Sequence, residues 1–480
     1  MNVAAIITQH AERNPGAPAI IESGRRIDYA GFDRAIWRAV ASFRRAGIAP
    51  GDRVGVSLRT HALHLVVGYA LARLGAVQLT LSLRESTEFR QRLAKRFGVK
   101  AVIGESDLDP AWLEPGGTQE RDASAPDGDA GWKIALTSGT TGEPKAALQT
   151  HAMHIAWRDI FHRAIGVLPS DRYLVTIELD FFGGFRRCMD VFRAGGAVLF
   201  SAAPRSADAF LVEAERLEVT YLSLMPTHLR QLLPRLPDER PQLPRLRILR
   251  TGAMTVTESL RDEIMRRLCS NLLVTYGTND VGTPIAFADA QTLRRFPGCV
   301  GIAPSGVELG IADDEGRSLP AGEVGLIRVR APGMPSGYID NPEATARAFR
   351  GGWFYPGDLG LLTPEGALHF KGRADDMMNF DGIKIYPSEI EAVLLEHPAV
   401  AEAAAFPVSS SVHQDIPAAA VVLRHPVPES EIRIWCHDRM QSRAPLIVEI
   451  LAELPRNSIG KVLKRELAKR LEGRLPEDHR

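Results

Sequence analysis

Apolar side chains recur at helical spacing over residues 29–46, and over 62–74 they occupy most sides of the helix they predict. A helix that is apolar all round belongs inside a core, so this part of the chain is expected to lie at the centre of a large domain. The run Gly51-Asp52-Arg53-Val54-Gly55-Val56 separates the two, and a short strand at 77–81 and a helix through Phe97 follow. Residues 104–131, rich in Asp, Glu, Gly and Pro, read as a surface connection. Further along, strands at 197–200, 220–224, 247–250 and 272–275 alternate with helices at 207–217, from Thr227, and at 257–268. Such alternation predicts an α/β body, a sheet with helices on its faces.

Near residue 300 the pattern changes to period 2 with glycine-rich turns. Segments 307–311 and 324–329 flank Asp313-Asp314-Glu315-Gly316, and 359–362 and 367–370 flank Pro364-Glu365-Gly366. This predicts a small antiparallel β subdomain near 300–372 appended to the α/β body. After Lys371-Gly372-Arg373-Ala374-Asp375-Asp376 a separate α+β unit begins. Ser388 and Glu391 have the spacing of a capping box, opening a helix that carries Ile390, Val393 and Leu394. Strands at 401–406 and 418–423, a helix at 429–440 and a terminal helix after Gly460 complete it. The expected division is a large N-terminal domain, 1–373, and a small C-terminal domain, 374–480.

Composition narrows the function classes. The 480 residues are 45% apolar and 24% charged, and 58 Lys plus Arg balance 58 Asp plus Glu, which argues against nucleic acid or an anionic membrane as the main partner. No stretch approaches the ~18 apolar residues of a membrane span, and residues 1–15 lack the pattern of a secretory signal. A cytoplasmic location is expected. Cys188, Cys269, Cys299 and Cys436 are scattered and read as buried thiols. His61 with His64, and His151 with His154, lack a third ligand and read as packing or surface residues rather than a metal site.

The chemistry concentrates in Leu136-Thr137-Ser138-Gly139-Thr140-Thr141-Gly142-Glu143-Pro144-Lys145, after the apolar run 134–136. Glycines allow close backbone approach, hydroxyls donate hydrogen bonds and the lysine adds charge, which suits a loop around polyphosphate. It is not a Walker A loop, since Gly-Lys-Ser/Thr is missing. On its own the run also reads as a solvated loop. Thr251-Gly252-Ala253-Met254 and Tyr276-Gly277-Thr278-Asn279-Asp280 follow strands, where open parallel sheets collect ligands, although the glycines there could merely end the strands.

Together with Trp353-Phe354-Tyr355-Pro356-Gly357-Asp358, Gly372-Arg373-Ala374-Asp375-Asp376 and Pro455-Arg456-Asn457-Ser458-Ile459-Gly460-Lys461, these segments resemble, in order and separation, the adenylate-forming superfamily of acyl-CoA synthetases, adenylation domains and luciferases. The resemblance spans about residues 15–470. It implies an acid:thiol ligase that joins a small-molecule carboxylic acid to AMP from ATP, with Mg²⁺, releases pyrophosphate, and passes the acyl group to CoA. A carrier-protein thiol or an amine remains open as the acceptor, and a non-catalytic nucleotide-binding relative is the rival from another class. By the same resemblance Lys461 is the catalytic lysine. Thr137, Ser138, Gly139, Thr140, Thr141, Gly142 and Lys145 hold phosphates. Gly252, Ala253, Met254, Tyr276, Gly277, Asp358 and Arg373 meet adenine and ribose, and Asp280 is associated with Mg²⁺. Asp375 is the hinge of a mobile C-terminal domain, and Gly382 belongs to the channel of the incoming nucleophile.

Departures from the family pattern are informative. Asn279 and Asp280 stand where Thr-Glu is usual, Ala146 replaces a glycine and Asn457 a threonine. In Ile177-Glu178-Leu179-Asp180-Phe181-Phe182-Gly183, Asp180 stands about where a histidine is common at the acyl pocket. Asp180, Phe181, Gly183 and Thr278 are therefore acyl-pocket candidates. Asp180 either meets an amino or hydroxyl group of the acid or is paired to Arg186 or Arg187 as a structural residue, since buried charges need partners.

Overall fold

The helix expected at 62–74 forms as Ala62–Leu74, is buried on nearly every side, and ends at Gly75 in the left-handed conformation. The computed structural model that shows this describes residues 1–116, 127–137, 144–201, 206–236, 243–254, 256–282, 284–410, 412–456 and 462–472, with Phe182 as backbone only. A β-carbon on Gly68 would stand 2.5 Å from the ring of Phe185, on helix Phe182–Ala194, so the bare glycine is what lets the two helices meet. One apolar cluster runs from Val54 and Val56 through Leu65, Tyr69 and Phe185 to Tyr173 and Val198. Those end points belong to two different sheets, which therefore share this helical layer.

The smaller sheet has the order Ala101–Ile103, Arg53–Val56, Val77–Thr80, Gly131–Thr137, Lys145–Thr150. Its pairs are parallel except the last, an antiparallel hairpin. In the larger sheet, Leu272–Gly277, Ile248–Gly252, Tyr221–Ser223, Arg172–Leu174, Ala197–Phe200 and Pro18–Glu22 run parallel in that order. Beyond Leu272–Gly277 the pairing turns antiparallel. Pro284–Ala288, Gly301–Ile302 and Ala367–Arg373 hydrogen-bond the β subdomain onto the body, and Glu308–Ala312, Gly325–Arg330 and Asp358–Leu362 form the expected hairpins there.

The C-terminal unit is a sheet of Met378–Phe380, Ile383–Ile385, Val400–Ser410, Gln414–Leu423 and Ile447–Leu451. Helices Pro387–Leu395 and Glu429–Met440 bury Ile390, Leu394, Ile432 and Cys436 on one face, and helix Lys464–Glu472 buries Leu467 and Leu471 on the other.

Three details differ from expectation. The capping box at Ser388 does not form: the helix starts at Pro387, and the Ser388 hydroxyl donates to the Lys371 carbonyl at 2.6 Å while Glu391 accepts from Lys464 at 2.7 Å. The connection after residue 104 is partly anchored, since Trp112 is buried with its ring edge-on to Phe43. The N-terminal helix Ala5–Arg13 and the hairpin Pro18–Glu22 with Arg25–Asp28 carry too short a period to be read.

All four cysteines are free and buried. Among the described residues no group of three or more His, Cys, Asp or Glu could hold a metal, and no helix is long and apolar enough to cross a membrane. His64, His151 and His154 pack in the core, with His154 bonded to Gln149 at 3.0 Å.

Burial pulls His64 down to about 3 and His151 down to about 4, so both fold as neutral imidazoles. The unfolded chain takes up these protons below its ordinary value of about 6.5, whereas the native state does not. Stability is full above that pH and falls as pH drops toward 4, by up to about 1.4 kcal/mol per pH unit for each histidine. Urea unfolding at about pH 7.5 and about pH 5.5 should show a lower midpoint in acid, and equal midpoints would contradict the neutral-histidine core.

Candidate active site

The hydroxyl-rich loop joins two antiparallel strands, not a strand to a helix. Thr137 and Lys145 are direct cross-strand partners at its base; Ser138, Gly139, Thr140, Thr141 and Gly142 lie outside the described residues. The Lys145 ammonium stands 5.1 Å from the ring centroid of Tyr338, and the Tyr338 hydroxyl donates to Asp280 at 2.7 Å. Ile339 N–H bonds the Ala146 carbonyl at 2.7 Å, and the Gln149 amide bonds the Asn279 carbonyl at 3.2 Å. The loop base and the 276–280 segment, which come from different sheets, are thereby tied together. Burial and then the Asp280 charge push the Tyr338 phenol up, so it stays a donor.

Tyr276, Asp358 and Arg373 converge. Asp358 is buried; its Oδ2 accepts from the Tyr276 hydroxyl, and its Oδ1 accepts from Arg373 at 3.0 Å. Asp358 and Arg373 are cross-strand partners, which fixes this geometry in the sheet. Burial would lower the Arg373 guanidinium, but the Asp358 charge and bond outweigh it and hold it up. The Tyr276 ring lies 5.5 Å from that of Phe370.

The Thr251–Met254 segment ends the strand Ile248–Gly252, which pairs with the strand that carries Tyr276. A β-carbon on Gly252 would meet the Thr275 carbonyl oxygen at 2.3 Å, so the turn needs a glycine. Ala253 is left-handed at φ 66 and the Met254 side chain is exposed. Gly277 sits at a register shift against Pro284, and the Thr278 hydroxyl oxygen is buried without a hydrogen-bond partner.

Asp180 is not paired to Arg186 or Arg187. Its Oδ2 accepts from Ser82 at 2.5 Å, and its Oδ1 is buried without a partner. Arg187 pairs instead with Asp190, three residues on along the same helix, at 2.9 Å. Burial raises the Asp180 carboxyl, the Ser82 bond opposing it. Phe181 lies under Arg84 at 4.8 Å, and Arg84 pairs with Glu178 at 2.7 Å. Gly183 faces open space.

Asp375 lies in the turn Ala374–Asp376, 3.7 Å from Arg373. Asp381 and Gly382, at φ 50 and 82, form the two-residue turn between Met378–Phe380 and Ile383–Ile385, with His413 at 2.9 Å from Asp381. Lys461 lies outside the described residues; Arg456 and Val462, on either side of it, bridge antiparallel. Ser82, Gln149 and Tyr338 carry no sequence signal, since each acts through a partner far along the chain.

Asp280 offers a buried carboxylate oriented by the Tyr338 hydroxyl, a hard oxygen donor of the kind Mg²⁺ takes when phosphates complete its shell, so it fits that ion.

The family model for AMP-binding enzymes matches residues 7–339, and that for the C-terminal domain of AMP-binding enzymes matches 389–461. The chain is similar to 2-succinylbenzoate–CoA ligase of Geobacillus kaustophilus, 30% identical over 486 residues with 96% of each chain covered. It is also similar to indoleacetate–CoA ligase of Aromatoleum aromaticum, 29% identical with 97% of each covered. Among solved structures it resembles o-succinylbenzoate CoA synthetase from Bacillus subtilis in complex with its acyl-adenylate intermediate, with a TM-score of 0.88 at 25% identity over 96% of this chain and 97% of that one. The same synthetase with ATP and magnesium ion gives 0.87 at 25%, over 96% and 98%. By sequence, fold and the order of its motifs, the chain belongs to the AMP-binding enzyme family.

Proposed function

We infer that the protein is an ATP-dependent acid:CoA ligase working through an acyl-adenylate. The observation that carries this is the convergence of Tyr276, Asp358 and Arg373 at the strand ends, in a chain that matches CoA ligases from end to end. A carboxylate oxygen of the acid attacks the α-phosphorus of ATP and pyrophosphate leaves; the CoA sulfur then attacks the acyl carbon, its proton is lost and AMP leaves.

In this reading Tyr276 faces adenine across the Gly252-Ala253-Met254 turn and Gly277. Asp358 accepts both ribose hydroxyls, and Arg373 holds ribose or phosphate. Thr137 to Gly142 and Lys145 surround the β- and γ-phosphates, where charge must be neutralised for transfer. Mg²⁺, when bound, neutralises phosphate charge beside Asp280. Lys461 bridges the carboxylate and the α-phosphate. Asp180, Phe181, Gly183 and Thr278 line the acyl pocket, with the free Asp180 oxygen open to a hydroxyl or amino group. Division at 373/374, rotation about Asp375 between half-reactions, approach of the Gly382 turn to the nucleophile and a cytoplasmic setting belong to the same proposal. A carrier-protein thiol is an alternative acceptor of the same chemistry.

Pyrophosphate release with ATP, Mg²⁺ and a panel of aliphatic, aryl and amino-substituted acids, with and without CoA, tests the reaction. Acyl-CoA should form, and an adenylate that accumulates and ignores CoA would move the acceptor to a carrier protein or amine. Lys461→Ala should abolish adenylate formation while nucleotide binding persists; normal adenylation would remove its assignment. Asp358→Ala leaves two donors without their acceptor and should raise KM for ATP at least about tenfold, whereas Tyr276→Phe, losing one hydrogen bond to a carboxylate that keeps its Arg373 partner, should cost less. The reverse order would contradict the ribose role. Asp180→Ala should reorder the acids by their hydroxyl or amino substituents, and an unchanged ranking would remove Asp180 from the pocket.

A further inference from the structure

Strand Ile248–Gly252 lies in the parallel part of the larger sheet, where both faces are covered and apolar side chains are the rule. Arg250 breaks that rule. Its guanidinium carbon is 5.8 Å from the ring centroid of Phe161, on helix His151–Ile165, and Arg187 and Arg158 approach the same ring at 4.4 and 5.4 Å. Three guanidiniums surround one phenyl ring. Among the described residues a single carboxylate, Asp190, bonds to any of them, and it is engaged by both Arg158 and Arg187.

Among the described residues no carboxylate bonds Arg250. Its Nη1 makes one long bond to Ser223 Oγ, 3.4 Å, and its Nε is buried without a partner. Burial, and then the Arg187 charge, pull this guanidinium down to about 9. The Arg250 side chain is only partly buried, so a guanidinium to which no carboxylate is bonded is suited to an anion that arrives later.

The position fits such an arrival. Arg250 and Ser223 are neighbours across the sheet, and the Ser223 carbonyl accepts from Thr176, which leads into the 177–183 acyl-pocket segment. Two residues beyond Arg250, on the same strand face, Gly252 opens the proposed nucleotide turn. Arg250 therefore lies toward the carboxyl end of its strand, two residues from the proposed nucleotide turn and paired with a strand that is bonded to the segment leading into the acyl pocket.

We propose that the acid carries a second carboxylate and that Arg250 receives it, so that the enzyme selects dicarboxylic acids. This rests on the acid-activating reading above. A guanidinium presents paired N–H donors that match a carboxylate, and the second carboxylate supplies the missing counter-charge. A monocarboxylic acid of the same shape leaves Arg250 with only its long bond to Ser223.

Thermal-shift titration of the intact protein without ATP, with acids differing by one carboxylate such as hexanoate and adipate, or phenylpropionate and its ring-carboxylated counterpart, separates binding from reaction. Dicarboxylates should raise Tm where their monocarboxylate partners do not. Arg250→Met should erase the difference, and Arg250→Lys, which keeps the charge, should retain part of it. In pyrophosphate exchange, Arg250→Met should lower kcat/KM about 10- to 100-fold more for dicarboxylates than for monocarboxylates. Equal shifts from both members of each pair, no shift from any dicarboxylate, or a difference that survives Arg250→Met would overturn the proposal. Dicarboxylate binding without exchange from any acid would support the Arg250 assignment and count against the activation chemistry instead.

Discussion

Two sheets share one layer of helices, and the rest of the N-terminal body depends on how closely that layer packs. Gly68 and Phe185 set the distance, with Tyr69 and Trp132 completing an aromatic contact around Phe185. Close-packed interiors transmit small displacements, so the strand ends of one sheet are held in fixed relation to those of the other. That relation matters because the phosphate-type loop grows from the smaller sheet and the Tyr276 and Gly252 segments from the larger. The bonds Gln149 to Asn279 and Ile339 to Ala146 then join loop to loop across the gap.

The electrostatics divide into completed and incomplete sets. Asp358 is held by Tyr276 and Arg373, and Asp280 by Tyr338, so their oxygens are oriented in the absence of any ligand. Orientation in advance reduces the reorganisation needed when a ligand arrives. Arg250 Nε and Asp180 Oδ1 are the contrasting cases: among the described residues, both are polar atoms buried without a hydrogen-bond partner.

Much of the fold was legible from periodicity. Helices Ala62–Leu74 and Glu429–Met440 and strand Ala197–Phe200 form at the expected residues, because a continuous apolar pattern ended by a turn residue leaves little freedom in the boundaries. The capping box failed because Ser388 had a tertiary acceptor, the Lys371 carbonyl, that local sequence does not reveal. The strands from Pro18 and Arg25 are short, and the hairpin they form is completed by a partner far along the chain, Ala197–Phe200 beside Pro18–Glu22. At the site, motif order pointed to Tyr276, Asp358 and Arg373, which do meet. It could not reveal Ser82 beneath Asp180, Tyr338 beside Asp280, or the cationic ring around Phe161, since those are pairings of distant segments with no spacing to read.

The pairing of Ile20 with Val198 has a consequence for biogenesis. During synthesis the first strand emerges long before the strand it lines up with, and until then its backbone groups have only the short hairpin with Arg25–Asp28 to satisfy them. Contacts between such distant segments form late, because the intervening chain must first be ordered. This edge of the larger sheet can therefore pair only once residue 200 has been made, whereas helix Ala5–Arg13 packs against helix Tyr29–Arg45, a contact between near segments that needs none of the later chain.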